Sequence, residues 1–386
     1  MKVLGLVLEL NPPHHGHKYF IDKAKDLVKP DYTIAVISTN FTMRGDISVI
    51  NKFDKTRLCL DLGIDIVLEL PYIACVASAD YFCKNAITLL NAFGVTDVAF
   101  GAELDNLEDL RKLKDYYNSE IFNLALKEAM DSGMSYSSAC NKALLSMTKD
   151  LNLIENFSMP NNTLAIQYIN EIDRINEEEH KKIAITVIKR VDNNYFDKEV
   201  TEGFASATAI RELMKENRDF SPYVIDSGYQ FIDYREAYNQ LFTIIKSAFI
   251  LKNSIEDLHR FLGVKEGIEN RIDNLCEVSN SYDELVENTC TKRYSASYIR
   301  RVLLHIVLRV PSIEQKVTNY RVLGFNKNGQ DYISELEKDV KSKIITSFKS
   351  IVDDETYFEL KATKLYGLLT GNDKLFLQEY QIPIKK

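Results

Sequence analysis

No apolar run in this sequence approaches the roughly 20 residues that a membrane-crossing helix needs, so the reading contains no spanning segment. A secretory leader also lacks its features. The opening MKVLGLVLELNPPHHG carries a lysine and an apolar stretch, but it contains Glu9 and no small-residue cleavage site, and so reads as a buried first strand. Six cysteines (Cys59, Cys75, Cys83, Cys140, Cys276 and Cys290) form no C-x-x-C pair, and several sit inside apolar patterns such as RLCLDL. They read as buried free thiols. Basic charge is not in excess: 48 Lys and Arg face 56 Asp and Glu, a net −8. That balance excludes indiscriminate polyanion binding by the whole surface and leaves room for a local basic stripe. Internal repeats and low-complexity segments are absent as well. The expectation is a cytoplasmic protein with no membrane association.

What is present is patterned. At 386 residues, 45% hydrophobic and 27% charged, the chain has a globular composition and length enough for two domains. From residue 2 to about 104, short runs rich in Val, Ile and Leu (2–10, 32–39, 65–70 and 97–102) alternate with helical spacing at 16–28, 52–62 and 76–93. Near-continuous apolar strands suit a sheet covered on both faces, and repeated βαβ units imply parallel pairing with right-handed crossovers. KIAITVIKR (182–190) supplies a fifth strand, and SATAIRELMKE (206–216) a helix opened by a serine. After DFSPYV, near residue 222, the strand signal fades. The predicted fold is α/β: a Rossmann-like parallel-sheet domain over 1–220, followed by an all-helical domain over 221–386.

The stretch LELNPPHHGHKYF (8–20) places His14, His15 and His17 directly behind the first strand. Open α/β sheets bind ligands beyond the carboxyl ends of their strands, beside the point where strand order reverses. Two prolines stiffen the turn, Gly16 admits close approach of a ligand to the backbone, and the helix that follows presents unpaired N–H groups and a partial positive charge to a phosphate. Two other readings stay open. A zinc site would need a further ligand set that the sequence does not offer, and a plain helix cap does not call for three histidines around one glycine. The spacing His14-x-Gly16-His17 resembles the H-x-G-H signature of the nucleotidylyltransferase superfamily, whose members attack the α-phosphorus of a nucleoside triphosphate.

Further segments narrow the resemblance. GLVLELNPPHHGH, STNFTMRGDISVINKFDKTRLCLDLGIDIVLELP, AFGAE, MPNNTLAIQYI, IKRVDNNYFD, FASATAIREL, TKRYSASYIRRVLLHIVL and VLGFNKNG, in that order, are similar to the tRNA(Met) cytidine acetate ligase family. The resemblance covers residues 2 to about 329. It implies a nucleotidylyltransferase domain that converts acetate and ATP to acetyl-adenylate, then passes the acetyl group to the N4 amine of the wobble cytidine of elongator tRNA(Met). It further implies Mg²⁺ bridging the phosphates.

Carried over by motif, the catalytic residues would be His14 and His17. The ATP site would comprise Val7, Leu8, Glu9, Leu10, Asn11, Pro12, Pro13, His14, His15, Gly16, His17, Lys18, Tyr19 and Phe20, together with Gly101, Asn161, Asn162, Arg190, Ser206 and Arg211. Of the two asparagines Asn162 is preferred, and Arg44 and Lys52 are weaker candidates. No metal ligand is assigned. The chain departs from the family pattern at Leu10, Pro13 and His15, where Tyr, Phe and Asn are expected, at Ala102 for Ser, and at Phe196 for His.

In YSASYIRRVLLHIVLRV, helical spacing puts Ser297, Arg301, His305 and Arg309 along one side, with Arg300 adjacent and Lys292 and Arg293 just upstream. Such a stripe would hold RNA phosphates, although a merely solvated helix face has the same pattern. With the resemblance, Lys292, Arg293, Arg300, Arg301 and Arg309 become the candidate tRNA contacts. A small-molecule adenylyltransferase and a non-catalytic RNA-binding protein with an ATP-shaped pocket are the alternative functions.

Overall fold

The apolar runs fall where strands form. A computed structural model describes residues 1–190, 205–226, 228–265, 267–349 and 353–386. Its strands β1 (Val3–Leu8), β2 (Tyr32–Ser38), β3 (Ile66–Leu70), β4 (Asp97–Ala102) and β5 (Ala184–Lys189) pair in the order β5-β4-β1-β2-β3, all parallel. The chain steps outward from β1 to β3 and returns to β4 on the other side of β1. Loops leaving β1 and β4 therefore diverge, and a crevice opens at their carboxyl ends.

Side-chain alternation sorts the two cores. Leu4, Leu6 and Leu8 of β1 join the face covered by α1 (His15–Val28) and α2 (Lys52–Asp61), whereas Val3 and Val7 face α3 (Ala79–Ala92) and α4 (Pro160–Glu178). Helix α1 buries Ile21, Ala24 and Val28, spaced three and four apart, which fixes its N-terminus above the crevice. Helix α2 is capped by Asn51, whose side chain accepts the N–H groups of Phe53 and Asp54. A cap of this kind is worth about 1 kcal/mol.

After β5 comes α5 (Ala207–Lys215), and beyond residue 220 the chain is mostly helical, including α6 (Ala296–Leu308) and α7 (Asp354–Leu369). It is not wholly so. The segment Tyr320–Phe325 forms β6, which runs antiparallel to β3 with Ile66 opposite Phe325 and Leu68 opposite Val322. Short strands Ile344–Ile345 and Ile384–Lys385 pair with β6 in turn. The all-helical expectation for 221–386 is corrected on this point: the open edge of β3 is covered by a strand from the C-terminal region.

A buried ion cluster ties the same regions together. Lys52, fully buried on α2, binds Glu69 of β3, Glu359 of α7 (2.7 Å) and Glu379 (2.6 Å), with Arg321 of β6 beside Glu69 and Glu379. Lys52 is thus a structural cation, inaccessible to a nucleotide, and its candidacy for the ATP site is corrected. Burial and the neighbouring Glu359 push the Glu69 carboxyl up to about 8. Three carboxyls against two cations hold a proton at neutral pH.

Candidate active site

The turn after β1 is shaped by its own backbone demands. Leu10 adopts a left-handed conformation (φ 51°) with its side chain fully buried, and the Asn11–Pro12 peptide is cis. The Asn11 side chain accepts the Val49 N–H at 2.9 Å. His14 then caps α1. Its backbone N–H donates to Nδ1 of His17 at 3.2 Å, and the two rings lie with centroids 4.0 Å apart.

That hydrogen bond assigns a tautomer. A ring nitrogen accepting a backbone N–H carries no proton, so neutral His17 holds its proton on Nε2 and can donate it onward. Desolvation, reinforced by His14, Arg190 and Lys55, holds the His17 pKa well below the usual histidine value. His17 is a neutral donor at physiological pH.

A cavity opens over the carboxyl ends of β1 and β4. From the first turn and helix it is lined by Val7, Leu8, Glu9, Asn11, His14, Gly16, His17, Tyr19 and Phe20. Leu10, Pro12, Pro13, His15 and Lys18 do not line it: Leu10 packs in the core, and Lys18 pairs with Asp22 at the surface. Gly101 ends β4 in the cavity wall, and Asn161 faces it from the first turn of α4. Arg190 follows β5 and donates to the Asn161 carbonyl oxygen, Oδ1, at 3.0 Å, while the Asn161 amide donates to Glu103 at 2.6 Å.

Asn162, the asparagine favoured by sequence, is corrected to a structural role. It is fully buried and absent from the cavity wall. Its Oδ1 accepts the backbone N–H groups of Glu103 and Leu104 at 3.0 and 3.1 Å, and its amide donates to the Asn156 carbonyl. The next residue along the helix looks inward because α4 rotates by about 100° per residue.

The opposite wall is the N-terminus of α5. Ser206 caps it, accepting the Ala209 N–H at 3.2 Å, and Ser206, Ala207, Thr208 and Arg211 all line the cavity. Arg211 donates to the Asn11 carbonyl at 2.6 Å, joining α5 to the turn before α1. Two helix N-termini therefore converge on one cavity, each with unpaired N–H groups and partial positive charge. Arg44, Lys189 and Asp46 complete its charged lining.

Sequence reasoning missed Lys55. It is fully buried on α2, and its ammonium donates to the carbonyls of Glu9 (2.7 Å), Thr39 (3.0 Å) and Ser38 (3.2 Å). Burial pushes its pKa down to about 8. Lys55 thus gathers the carboxyl ends of β1 and β2 beneath the cavity. Only Leu58 and Cys59, three and four residues further along the helical pattern, hinted at burial.

The basic stripe separates into parts. His305 is buried, its Nδ1 bonded to the Tyr72 hydroxyl at 3.1 Å, and burial lowers its pKa to about 3. Arg300 pairs with Asp46 at 3.2 Å, and Arg301 donates to the Met43 carbonyl at 3.3 Å, so both brace the loop after β2 that walls the cavity. Lys292, Arg293 and Arg309 are exposed, with Arg309 closing the far end of α6 in a left-handed conformation. Thirteen helical residues separate the two ends, or about 20 Å at 1.5 Å each. Phe196 lies outside the described residues. Among those described, no three His, Cys, Asp or Glu side chains gather to hold a metal ion, and no helix is long and apolar enough to cross a membrane.

A parallel sheet with H-x-G-H at its first turn and a second helix N-terminus facing it defines a nucleotidyl transferase. The HIGH Nucleotidyl Transferase family model matches residues 1–379. The chain belongs, more narrowly, to the tRNA(Met) cytidine acetate ligase family. It is 35% identical to the ligase of Thermosipho africanus over 90% of this chain and 85% of that one. To the ligase of Clostridium kluyveri it is 33% identical over 98% of both chains. Among solved structures, apo TmcAL from Thermotoga maritima superposes with a TM-score of 0.85 at 30% identity, over 100% of this chain and 99% of that one. The same organism's TmcAL bound to alpha-thio ATP gives a TM-score of 0.82 at 28% identity, over 100% of both chains.

Proposed function

We propose that the protein activates acetate with ATP to acetyl-adenylate, then acetylates the N4 amine of the wobble cytidine of elongator tRNA(Met) in the cytoplasm. The observation that carries this reading is the convergence of two helix N-termini, the His17 donor, Arg190 and Arg211 on the carboxyl ends of β1 and β4. The triphosphate lies across the starts of α1 and α5, and the nucleoside lies toward Gly101, Asn161 and Arg190. Within residues 7–20, the cavity-lining members contact ATP and the others hold the turn.

In the first step an acetate oxygen attacks the α-phosphorus. The bond from that phosphorus to the bridging oxygen breaks, and pyrophosphate departs with the electron pair. Acetate is already ionised at neutral pH, so no base is required. His17 donates its Nε2 proton in a hydrogen bond to a phosphoryl oxygen as negative charge grows there, and backbone N–H groups of the helix starts do the same. The described residues supply no cluster to hold a resident metal, so Mg²⁺ would arrive on the phosphates of ATP, where it neutralises charge. In the second step the cytidine amine attacks the acetyl carbonyl carbon, the bond to the phosphate oxygen breaks, AMP leaves and the nitrogen loses a proton to solvent. Lys292, Arg293 and Arg309 are the exposed RNA contacts, and Arg300 and Arg301 hold the cavity wall beside them.

The test incubates the protein with ATP, labelled acetate and either total tRNA or tRNA depleted of tRNA(Met). Label on N4 of cytidine in the first sample alone, with AMP and pyrophosphate released, agrees with the proposal. AMP joined to a small phosphate ester, or RNA binding without acetyl transfer, contradicts it.

A further inference from the structure

The cavity straddles the sheet edge, and its two ends differ in character. On the α1 and α5 side it is polar, with His14, His17, Ser206 and Arg211. From α3, α4 and β4, beyond Asn161 in the first turn of α4, it is walled by Phe82, Phe100, Leu164 and Tyr168, members of the opposite core or packed against it. The Phe100 and Tyr168 rings lie 5.5 Å apart between centroids. The adenylation chemistry itself makes no use of these apolar side chains.

We infer that the alcove formed by Phe82, Phe100, Leu164 and Tyr168 receives the methyl group of the acyl substrate and sets its chain length. The inference rests on the acetate-activating function proposed above. Two ligand parts are apolar enough to enter, the adenine base and the acyl methyl, and ring exposure separates them. Stacking a base needs an open ring face. Phe82, Phe100 and Tyr168 are only 2%, 5% and 6% exposed, so they offer a small apolar patch instead. A methyl group fits such a patch. Its carboxylate then points back over the sheet edge toward the phosphate end of the same cavity, as attack on the α-phosphorus requires. The rigidity of the alcove follows from its construction: Phe100 sits on a central parallel strand, and Phe82 and Tyr168 come from two helices packed together over it. Leu164, half-buried on α4, closes the side.

The experiment measures kcat/KM for acetate, propionate and butyrate by acid-dependent pyrophosphate exchange, with ATP affinity measured separately by calorimetry. Wild-type protein should prefer acetate to propionate roughly 10- to 200-fold, the usual range for one methylene in an apolar pocket. Leu164→Ala should narrow that ratio at least fivefold. Leu164→Phe should fill the alcove, raising KM for acetate at least tenfold while ATP binds as in wild type. Equal use of acetate and propionate by the wild type overturns the inference without any variant. So does an unchanged ratio in folded Leu164→Ala, or loss of ATP affinity in folded Leu164→Phe, which would assign the alcove to the base. Failure to activate any of the three acids is a different result, and it overturns the functional proposal itself.

Discussion

The α-carbon of Gly16 lies against the imidazole of His14: a β-carbon built there would stand 2.8 Å from Cε1 and 2.9 Å from Nδ1 of that ring. The glycine of H-x-G-H is therefore required by its neighbour's side chain, because the residue sits in the first turn of a right-handed helix that any L-residue can adopt. Gly16→Ala should leave folding intact, since alanine favours a helix over glycine by about 1 kcal/mol. It should displace the His14 ring and with it the His17 contact. Pyrophosphate exchange is expected to fall on the order of 100-fold, the scale for losing one aligned donor to developing charge, without a fall in melting temperature.

His17 gives a prediction about protons. With Nδ1 accepting the His14 N–H, selective ¹⁵N labelling should report the Nε2-protonated tautomer throughout the neutral range. The folded pKa lies below the unfolded value of 6.5. The unfolded chain consequently takes up the proton first, and the stability His17 contributes is held above pH 6.5 and lost as pH falls beneath it. His17→Asn should lessen the drop in urea midpoint between pH 7 and pH 5. A protonated Nδ1 in the spectrum would contradict the assigned hydrogen bond.

The Lys52 cluster titrates in the opposite sense. Glu69 has a folded pKa of about 8 against an ordinary 4.5, so the folded state holds a proton that the unfolded state has released. Its contribution is present below 4.5 and lost as pH rises through 8. Glu69→Gln should flatten the decline in stability between pH 6 and pH 8. Lys52→Met should be far more damaging, by about 3–5 kcal/mol, because it leaves the buried carboxylates of Glu359 and Glu379 without their shared cation. Urea unfolding of both variants checks the two signs together.

Adjacent asparagines should part company in the same way. Asn161→Ala removes one acceptor of Arg190, and is expected to raise the apparent Kd for ATP with little change in stability. Asn162→Ala strips the partner from two backbone N–H groups, those of Glu103 and Leu104, and should cost about 1–3 kcal/mol of folding stability. Isothermal titration and thermal melts separate the roles.

These contrasts show what the sequence could carry. Strands β1 to β5 were legible because parallel strands covered on both faces leave unbroken apolar runs, and α1 because its start is marked by the histidine turn. Strand β6 was not: it is as long as β4 or β5, but it stands alone among helical segments, outside any βαβ alternation that would mark it as a strand. Within the site, motif position located His14, Gly16, His17, Ser206 and Arg211 on the cavity wall. It could not tell Asn161 from Asn162, since facing depends on how α4 is rotated against β4. Lys52 and Lys55 looked equally polar in sequence, and only packing revealed that one lies among three carboxyl groups and the other beneath three carbonyls. His305 seemed part of a basic stripe until the helix was set against Tyr72.

The divided stripe leads to a prediction about RNA. Lys292 and Arg293 are exposed, whereas Arg300 is engaged with Asp46 in the cavity wall. If the first pair contacts tRNA phosphates, alanine at either position should weaken tRNA binding and reduce the slope of log affinity against log salt by about one. Adenylate formation without RNA should stay at its wild-type rate. Arg300→Ala should behave differently, because it leaves Asp46 without its partner and frees the loop from Thr42 to Asp46: adenylate formation should fall even in the absence of tRNA. Filter binding across 50 to 200 mM salt, roughly the range over which phosphate contacts are most visible, combined with pyrophosphate exchange, resolves the two effects. Equal loss of RNA-independent adenylation in Lys292→Ala and Arg300→Ala would contradict the division of labour that the geometry sets between the exposed residues ahead of α6 and the cavity wall.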